Sequence, residues 1–354
     1  MSVRALVLSG GGAKGAYEAG AVTSLVRAEP FDIIAGTSIG AINAALAAQH
    51  DFDALRSLWG SIAARKVVQP LPVVARTEAF FAAFEAWQLL PDIAKVSHLA
   101  HLALLWAQIG SKTALLSLLG MLDETPIEIA LKQFANYANI KSTLVVCATD
   151  ITTRRPTAFY AFAGGTAGNV ASFRSDAGME TEAISELNYV EILEASAAIP
   201  GAFTPLQMNL GAPPPKFFVD GGVANNTPIS LAVAAGADDV TVIFLDPASG
   251  DAPAPAPRNL VDIAFACFDV MQQRILENDF KLASLTNVAL AGAAPPSKEA
   301  TRALAGKKRL ALRYVRPTTA IPVSILGFDD QSALDAAFAI GIADGQRPTT
   351  ESEL

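Results

Sequence analysis

The stretch Phe31-Asp32-Ile33-Ile34-Ala35-Gly36-Thr37-Ser38-Ile39-Gly40 passes from an apolar run into a turn, and Ala41 to His50 follow without a helix breaker. The apolar run predicts a short buried strand over Phe31–Ala35, and the alanine-rich run predicts a helix over Ile39–His50. Glycines two residues before and two residues after Ser38 suit a turn too tight for side chains beside the neighbouring strand and helix. A serine held there takes a strained backbone conformation, with its hydroxyl above the sheet at the positive end of the following helix. This is the sequence form of a nucleophile elbow, Gly-x-Ser-x-Gly. Alone, the pattern also fits a plain turn of small residues. The strand before it and the helix after it favour Ser38 as a nucleophile.

Working outward, Arg4–Ser9 reads as a strand and Ala16–Glu29 as a helix. Ser142–Thr149, Pro156–Phe162, Lys216–Val219, Asp239–Leu245 and Leu310–Val315 read as further strands, with helices over Pro228–Gly236 and Leu260–Leu290. Such alternation predicts an α/β fold: a mostly parallel central sheet with helices on both faces, in three layers. The expected organisation is one domain over residues 1–354, with its motif-bearing core at 4–245, a helical insert at 77–122 and a helical extension at 259–345. Pro247 to Arg258 reads as a stiff proline–alanine connector.

Within the insert, Phe80, Phe81, Phe84 and Trp87 recur at helical spacing, as do Leu99, Leu102, Leu105, Trp106 and Ile109. His98, His101, Gln108, Gly110, Ser111 and Lys112 interrupt the run, so no apolar stretch reaches the ~20 residues of a membrane span. Helices packed on the core or at an oligomer interface are the expectation. A lid or lipid-contacting surface is the alternative.

The chain has 354 residues, 51% hydrophobic, with a net charge of −8 and a pI near 5.0. It carries no long-range positive field for nucleic acid or an anionic bilayer. Its two cysteines, Cys147 and Cys267, are too few for a disulfide framework, and both are expected as buried thiols. The first apolar run is too short for a secretory signal and leads straight into a glycine turn, so the expectation is a cytoplasmic protein. The sequence sets no oligomeric state. No clustered His/Cys ligand set implies a metal, and no cofactor is expected.

After the first strand comes Gly10-Gly11-Gly12-Ala13-Lys14-Gly15. A phosphate-binding P-loop would need Gly-Lys-Ser/Thr at its end, whereas Lys14 precedes Gly15 and Ala16. A dinucleotide fingerprint would need an acidic residue at the end of the second strand, and Asp32 lies at its start. An oxyanion hole fits better, because consecutive glycines free backbone N–H groups at a helix N-terminus. Lys14 would support the loop or attract an anionic head group.

A serine nucleophile needs a base, and only three histidines are present. His50 is 12 residues from Ser38 on the same expected helix, about 18 Å away. His98 and His101 fall in the apolar insert. A base of another type is therefore expected. Asp220, in Lys216-Phe217-Phe218-Val219-Asp220-Gly221-Gly222, ends an apolar strand where open α/β sheets carry their active sites. A turn-forming Asp-Gly is the competing reading.

The order of glycine loop, Gly-x-Ser-x-Gly and Asp-Gly-Gly resembles the patatin-like phospholipase family. Ala195-Ser196-Ala197-Ala198-Ile199-Pro200 and Ala148-Thr149-Asp150-Ile151-Thr152-Thr153 extend the resemblance. It implies a catalytic dyad of Ser38 and Asp220, an oxyanion hole from Gly10, Gly11 and Gly12, and supporting roles for Lys14, Gly15, Gly36, Gly40, Gly221 and Gly222. The expected activity is hydrolysis of lipid acyl esters through an acyl-enzyme, with peripheral contact at a membrane or micelle surface. A non-lipid esterase or thioesterase with the same dyad, and a catalytically idle scaffold that binds lipid or protein, are the alternatives.

Overall fold

The computed structural model describes residues 2–28, 30–88, 120–164, 167–210, 214–248, 260–292, 297, 301–302 and 304–350. Its strands are β1 (Arg4–Leu8), β2 (Ile33–Thr37), β3 (Thr143–Asp150), β4 (Arg155–Ala161), β5 (Glu180–Ala183), β6 (Leu206–Met208), β7 (Lys216–Asp220), β8 (Asp239–Ile243), β9 (Ala311–Val315) and β10 (Thr349–Thr350). The helices before β3 are α1 (Gly15–Ala28), α2 (Ile39–Ala48), α3 (Phe52–Trp59), α4 (Pro72–Gln88) and α5 (Thr125–Phe134). Those after it are α6 (Ala167–Asp176), α7 (Tyr189–Ala197), α8 (Ile229–Ala234), α9 (Leu260–Ala291) and α10 (Gln331–Asp344).

The two-residue period of a strand divides the core. Leu6, Leu8, Ile34, Leu144 and Val146 pack on one face, under α1, α2, α3, α5, α7 and α10. Ala5, Val7, Ile33, Ala35, Val145 and Cys147 pack on the other, under α6, α8 and α9. A sheet covered on both sides needs apolar residues at every position, which is why its central strands read as continuous apolar runs. The main order is β10-β9-β8-β1-β2-β3-β4-β5. Neighbours from β9 to β3 are all parallel, as are β4 and β5, while β10 and β4 run against β9 and β3. The sheet is therefore mostly parallel, with helices on both faces.

One departure from the parallel pattern positions the site. β7 pairs antiparallel with β3 through Ala148↔Asp220, Thr149↔Val219 and Asp150↔Phe218. β2 occupies the preceding residues of β3, ending in Thr37↔Cys147. Two strands thus approach from opposite directions, and their last residues sit on consecutive residues of β3.

β2 begins and ends two residues later than the sequence suggests. Gly36 and Thr37 remain extended and pair with Val146 and Cys147, so the turn starts only at Ser38. The region after 247 is more than a helical extension. β9 and β10 widen the same sheet, and α10 lies against α1 so closely that a methyl on Gly20 or Gly341 would overlap a backbone carbonyl of the other helix. The insert leaves and returns at one place: Leu71 N–H donates to Met121 O at 2.8 Å, and Asp123 N–H to Gln69 O at 2.8 Å. Residues 89–119, with His98, His101, Leu105 and Trp106, lie outside the described residues, as does 249–259 of the connector. Among the described residues no helix is long and apolar enough to cross a membrane.

Candidate active site

Ser38 caps α2 with φ 58° and ψ −130°, a conformation that a side-chain-bearing residue adopts only under constraint. The flanking glycines supply it. A methyl on Gly36 would overlap the Gly40 carbonyl, and one on Gly40 would come within 2.7 Å of Leu8 C and O and of Ser9 O. The strained turn is tied down from α7: Ser38 N–H donates to Ser196 Oγ at 2.9 Å, and Ser196 Oγ–H donates to Cys147 O at 2.6 Å.

Ser38 Oγ–H donates to Asp220 Oδ2 at 2.5 Å, and Gly222 N–H donates to Asp220 Oδ1 at 2.7 Å. Asp220 N–H reaches Ala198 O at 2.8 Å, holding the end of β7 against the loop after α7. Gly221 permits the junction, because a methyl there would overlap Cys147 O and lie 2.7 Å from Thr37 Cγ2. Ser38 is 2% exposed and Asp220 0%. Burial pushes the Asp220 carboxyl up to about 7, against the lowering effect of its hydrogen bonds from Ser38 and Gly222. Burial and the nearby Asp220 push the Cys147 thiol up to about 12, so it is no competing nucleophile.

A family model described as patatin-like phospholipase matches residues 6–233. The chain belongs to the patatin-like phospholipase family. Among solved structures, VipD from Legionella pneumophila is similar at 14% identity with a TM-score of 0.37, over 98% of this chain and 66% of its own. The chain thus spans just under two thirds of VipD. No curated protein matches it. The patatin-like match contains the glycine loop, Ser38 and Asp220, and stops before β8 and α9.

The patatin-like glycine loop is not three equivalent donors. Gly10 N–H donates to Asn226 Oδ1 at 3.0 Å, and Asn226 Nδ2 donates to Gly10 O at 3.3 Å and to Gln272 O at 3.0 Å. The N–H groups of Gly11 and Gly12 have no acceptor among the described residues. Gly12 takes φ 57°, and a methyl on it would overlap the Ile325 carbonyl, which accepts Ala13 N–H at 2.9 Å. Gly15 lets α1 start hard against Ile39 and Trp59.

Lys14 turns away to Asp246 Oδ1 at 2.9 Å and Asp269 Oδ1 at 2.9 Å, joining the loop to the end of β8 and to α9. Burial alone would lower its pKa, but the two carboxylates outweigh that and hold it above the usual lysine value. It ties the glycine loop to both carboxylates, which match its charge. His50 is remote from Ser38. It follows α2, its ring meets Ser142 Oγ at 2.9 Å, and it lines a cleft of about 1410 Å³ with Val3, Asp32 and Thr143, at the far ends of the strands. Burial, then Lys141, lowers its pKa.

Some residues of the site had no assigned role in the sequence. Ser196, fully buried, stood only as a member of the small-residue block Ala195–Pro200, and Asn226, also buried, carried no motif. Glu18 accepts from Ser9 N–H at 2.9 Å and Asn43 Nδ2 at 2.8 Å, linking the end of β1 to α2, and burial pushes its carboxyl up to about 8. Asp150 accepts from Thr152 N–H and Thr153 Oγ1, closing the turn between β3 and β4 rather than joining the site. Cys267 is exposed, contrary to expectation, because it lies on the outward side of α9 while Phe265 and Gln272 face inward.

Proposed function

We propose that the chain is one catalytic unit, a serine acyl hydrolase that cleaves lipid esters with Ser38 as nucleophile and Asp220 as base. The observation that carries this reading is the 2.5 Å hydrogen bond from a strained, helix-capping serine to a fully buried carboxylate. Ionised Asp220 accepts the Ser38 proton as Oγ attacks the ester carbonyl carbon. The carbonyl oxygen becomes an oxyanion beside Gly11 and Gly12, whose N–H groups and helix N-terminus favour negative charge. Collapse breaks the bond to the alcohol, which leaves with the proton held by Asp220, and the acyl group stays on Ser38. Water then gives a proton to Asp220 and attacks the acyl carbon. The fatty acid leaves, and Ser38 recovers its proton.

A pKa near 7 suits the exchange, since a general base works best when its pKa lies close to the operating pH. Family membership favours lipid substrates, and an acyl-chain-length series would separate them from short esters and thioesters. The test is fluorophosphonate labelling with peptide mapping, run with hydrolysis of a phospholipid and a soluble ester. Label on Ser38, and loss of both label and turnover in Ser38→Ala, are the expected results. A label elsewhere, or turnover in a folded Ser38→Ala protein, overturns the assignment. An unlabelled, inactive wild type would favour the scaffold alternative.

A further inference from the structure

Gln272 lies on the inward side of α9, is 1% exposed, and has no hydrogen-bond partner at either Nε2 or Oε1. A carboxamide buried with both ends unbonded is rare in folded proteins and calls for a function. Its position supplies one. A methyl placed on Gly10 would lie 2.7 Å from Gln272 Nε2 and 2.9 Å from Ser38 Cβ. A methyl placed on Gly222 would overlap the same Nε2 and lie 2.9 Å from Asp220 Oδ1. The free amide therefore borders the space between the glycine loop, Ser38 and Asp220. Its backbone is fixed there, because Asn226 binds both Gln272 O and the two polar groups of Gly10.

We propose that Gln272 touches the substrate and completes the oxyanion hole, with Nε2–H donating to the ester carbonyl oxygen alongside Gly11 and Gly12. The inference rests on the Ser38–Asp220 reading. Gly10 N–H is engaged by Asn226, so two backbone donors remain in the glycine loop, and Gln272 adds a third from a helix outside the matched segment 6–233. A neutral donor suits the task. It stabilises the charge that forms in the transition state without a permanent charge beside Asp220.

The test is steady-state hydrolysis of para-nitrophenyl butyrate by Gln272→Leu and Gln272→Met, with melting temperatures measured on the same samples. Loss of an oxyanion donor is expected to lower kcat by about 10²-fold with KM little changed. The melting temperature should stay level or rise, since an unpaired polar group gives way to an apolar one of similar size. A structural role would do the reverse, lowering the melting temperature and sparing kcat. Gln272→Glu should fall below Gln272→Leu at pH 8, because an ionised carboxylate repels the oxyanion.

A kcat near wild type in the apolar variants, losses that track a lower melting temperature in both, or a Gln272→Glu as active as Gln272→Leu would each overturn the proposal. Ser38→Ala and Asp220→Asn run alongside. Turnover surviving in either defeats the dyad and this inference with it, whereas inactive dyad variants beside a fully active Gln272→Leu defeat the role of Gln272 alone.

Discussion

Replacing Asp220 by asparagine sets stability against activity at one buried atom. The wild-type carboxyl is raised from 3.8 to about 7, chiefly by burial. At about 1.4 kcal/mol per unit, that displacement corresponds to about 4 kcal/mol. The folded-state value lies above the unfolded one. The contribution to stability is thus fully present below pH 3.8 and is lost as pH rises through about 7. Asparagine has no such titration and keeps the contacts: its Oδ1 accepts Gly222 N–H, and its Nδ2 donates to a reversed Ser38 hydroxyl. Asp220→Asn should therefore melt close to wild type near pH 4 and above it at pH 8, by on the order of 5 °C. Glu18, raised to about 8, titrates in both proteins and cancels in the difference. Turnover moves the opposite way. Wild-type kcat/KM should fall about tenfold per pH unit below about 7 as Asp220 takes up its proton, and the variant should lose roughly 10²–10⁴ at pH 8. Calorimetry from pH 4 to 9 and hydrolysis of a soluble ester over the same range check both limbs. Parallel melting curves would show that Asp220 carries no burial penalty. A variant retaining more than about a tenth of wild-type turnover at pH 8, above what loss of a general base permits, would reduce Asp220 to a turn residue.

Ser38→Gly and Ser38→Ala should both abolish labelling and turnover, and both lose the hydrogen bond to Asp220. Ser38→Gly should therefore melt above Ser38→Ala, because glycine takes φ 58° without the strain of about 1–3 kcal/mol that a side chain bears there; an alanine variant melting as high as the glycine one would locate the strain elsewhere. Ser196→Ala leaves Ser38 N–H unpaired and removes a donor from Cys147 O, so a loss of about 1–3 kcal/mol in denaturant unfolding and a lower kcat are expected. Replacing His50, His98 and His101 together by glutamine should leave measurable turnover, since His50 bonds Ser142 at the far end of α2; a loss as deep as that of Ser38→Ala in a folded protein would restore a histidine base.

The strained turn at Ser38 was legible because its cause is local. Gly36 and Gly40 are required by contacts within a few residues or with the adjoining strand end, and alternating apolar runs suffice to predict a parallel sheet around it. Lys14 was legible only as a charge in a glycine loop. Its meaning depends on Asp246 and Asp269, more than 200 residues later, and neither carries a motif of its own. Gln272 had no signal, since a glutamine within a 32-residue helix reads as a solvated position until the neighbouring turns show which face is buried. Cys267 failed for the complementary reason: the same helix has an outward side, and the overall hydropathy of a segment does not assign residues to faces.

Asp220 lies within hydrogen-bond reach of Ser38 through a strand pairing that the sequence does not reveal. Had β7 run parallel, pointing the same way as β2, Asp220 would still end its strand. In that arrangement its strand would need a sheet position of its own, and its distance from Ser38 would depend on how many strands lay between. The antiparallel pairing of β7 removes that dependence. β2 uses β3 as far as Cys147, β7 uses it from Asp150 back to Ala148, and the two chain ends are brought together by adjacent residues of one strand. Their approach is then limited by side-chain bulk, which explains why the residue after Asp220 must be glycine: any side chain on Gly221 would collide with Cys147 O and push β7 back along β3. The Asp-Gly-Gly pattern thus records a packing demand made chiefly by Cys147 of β3 and also by Thr37 of β2, both remote in sequence. Gly221 forms the junction, and Gly222 supplies both the N–H that holds Asp220 Oδ1 and the space into which Gln272 reaches.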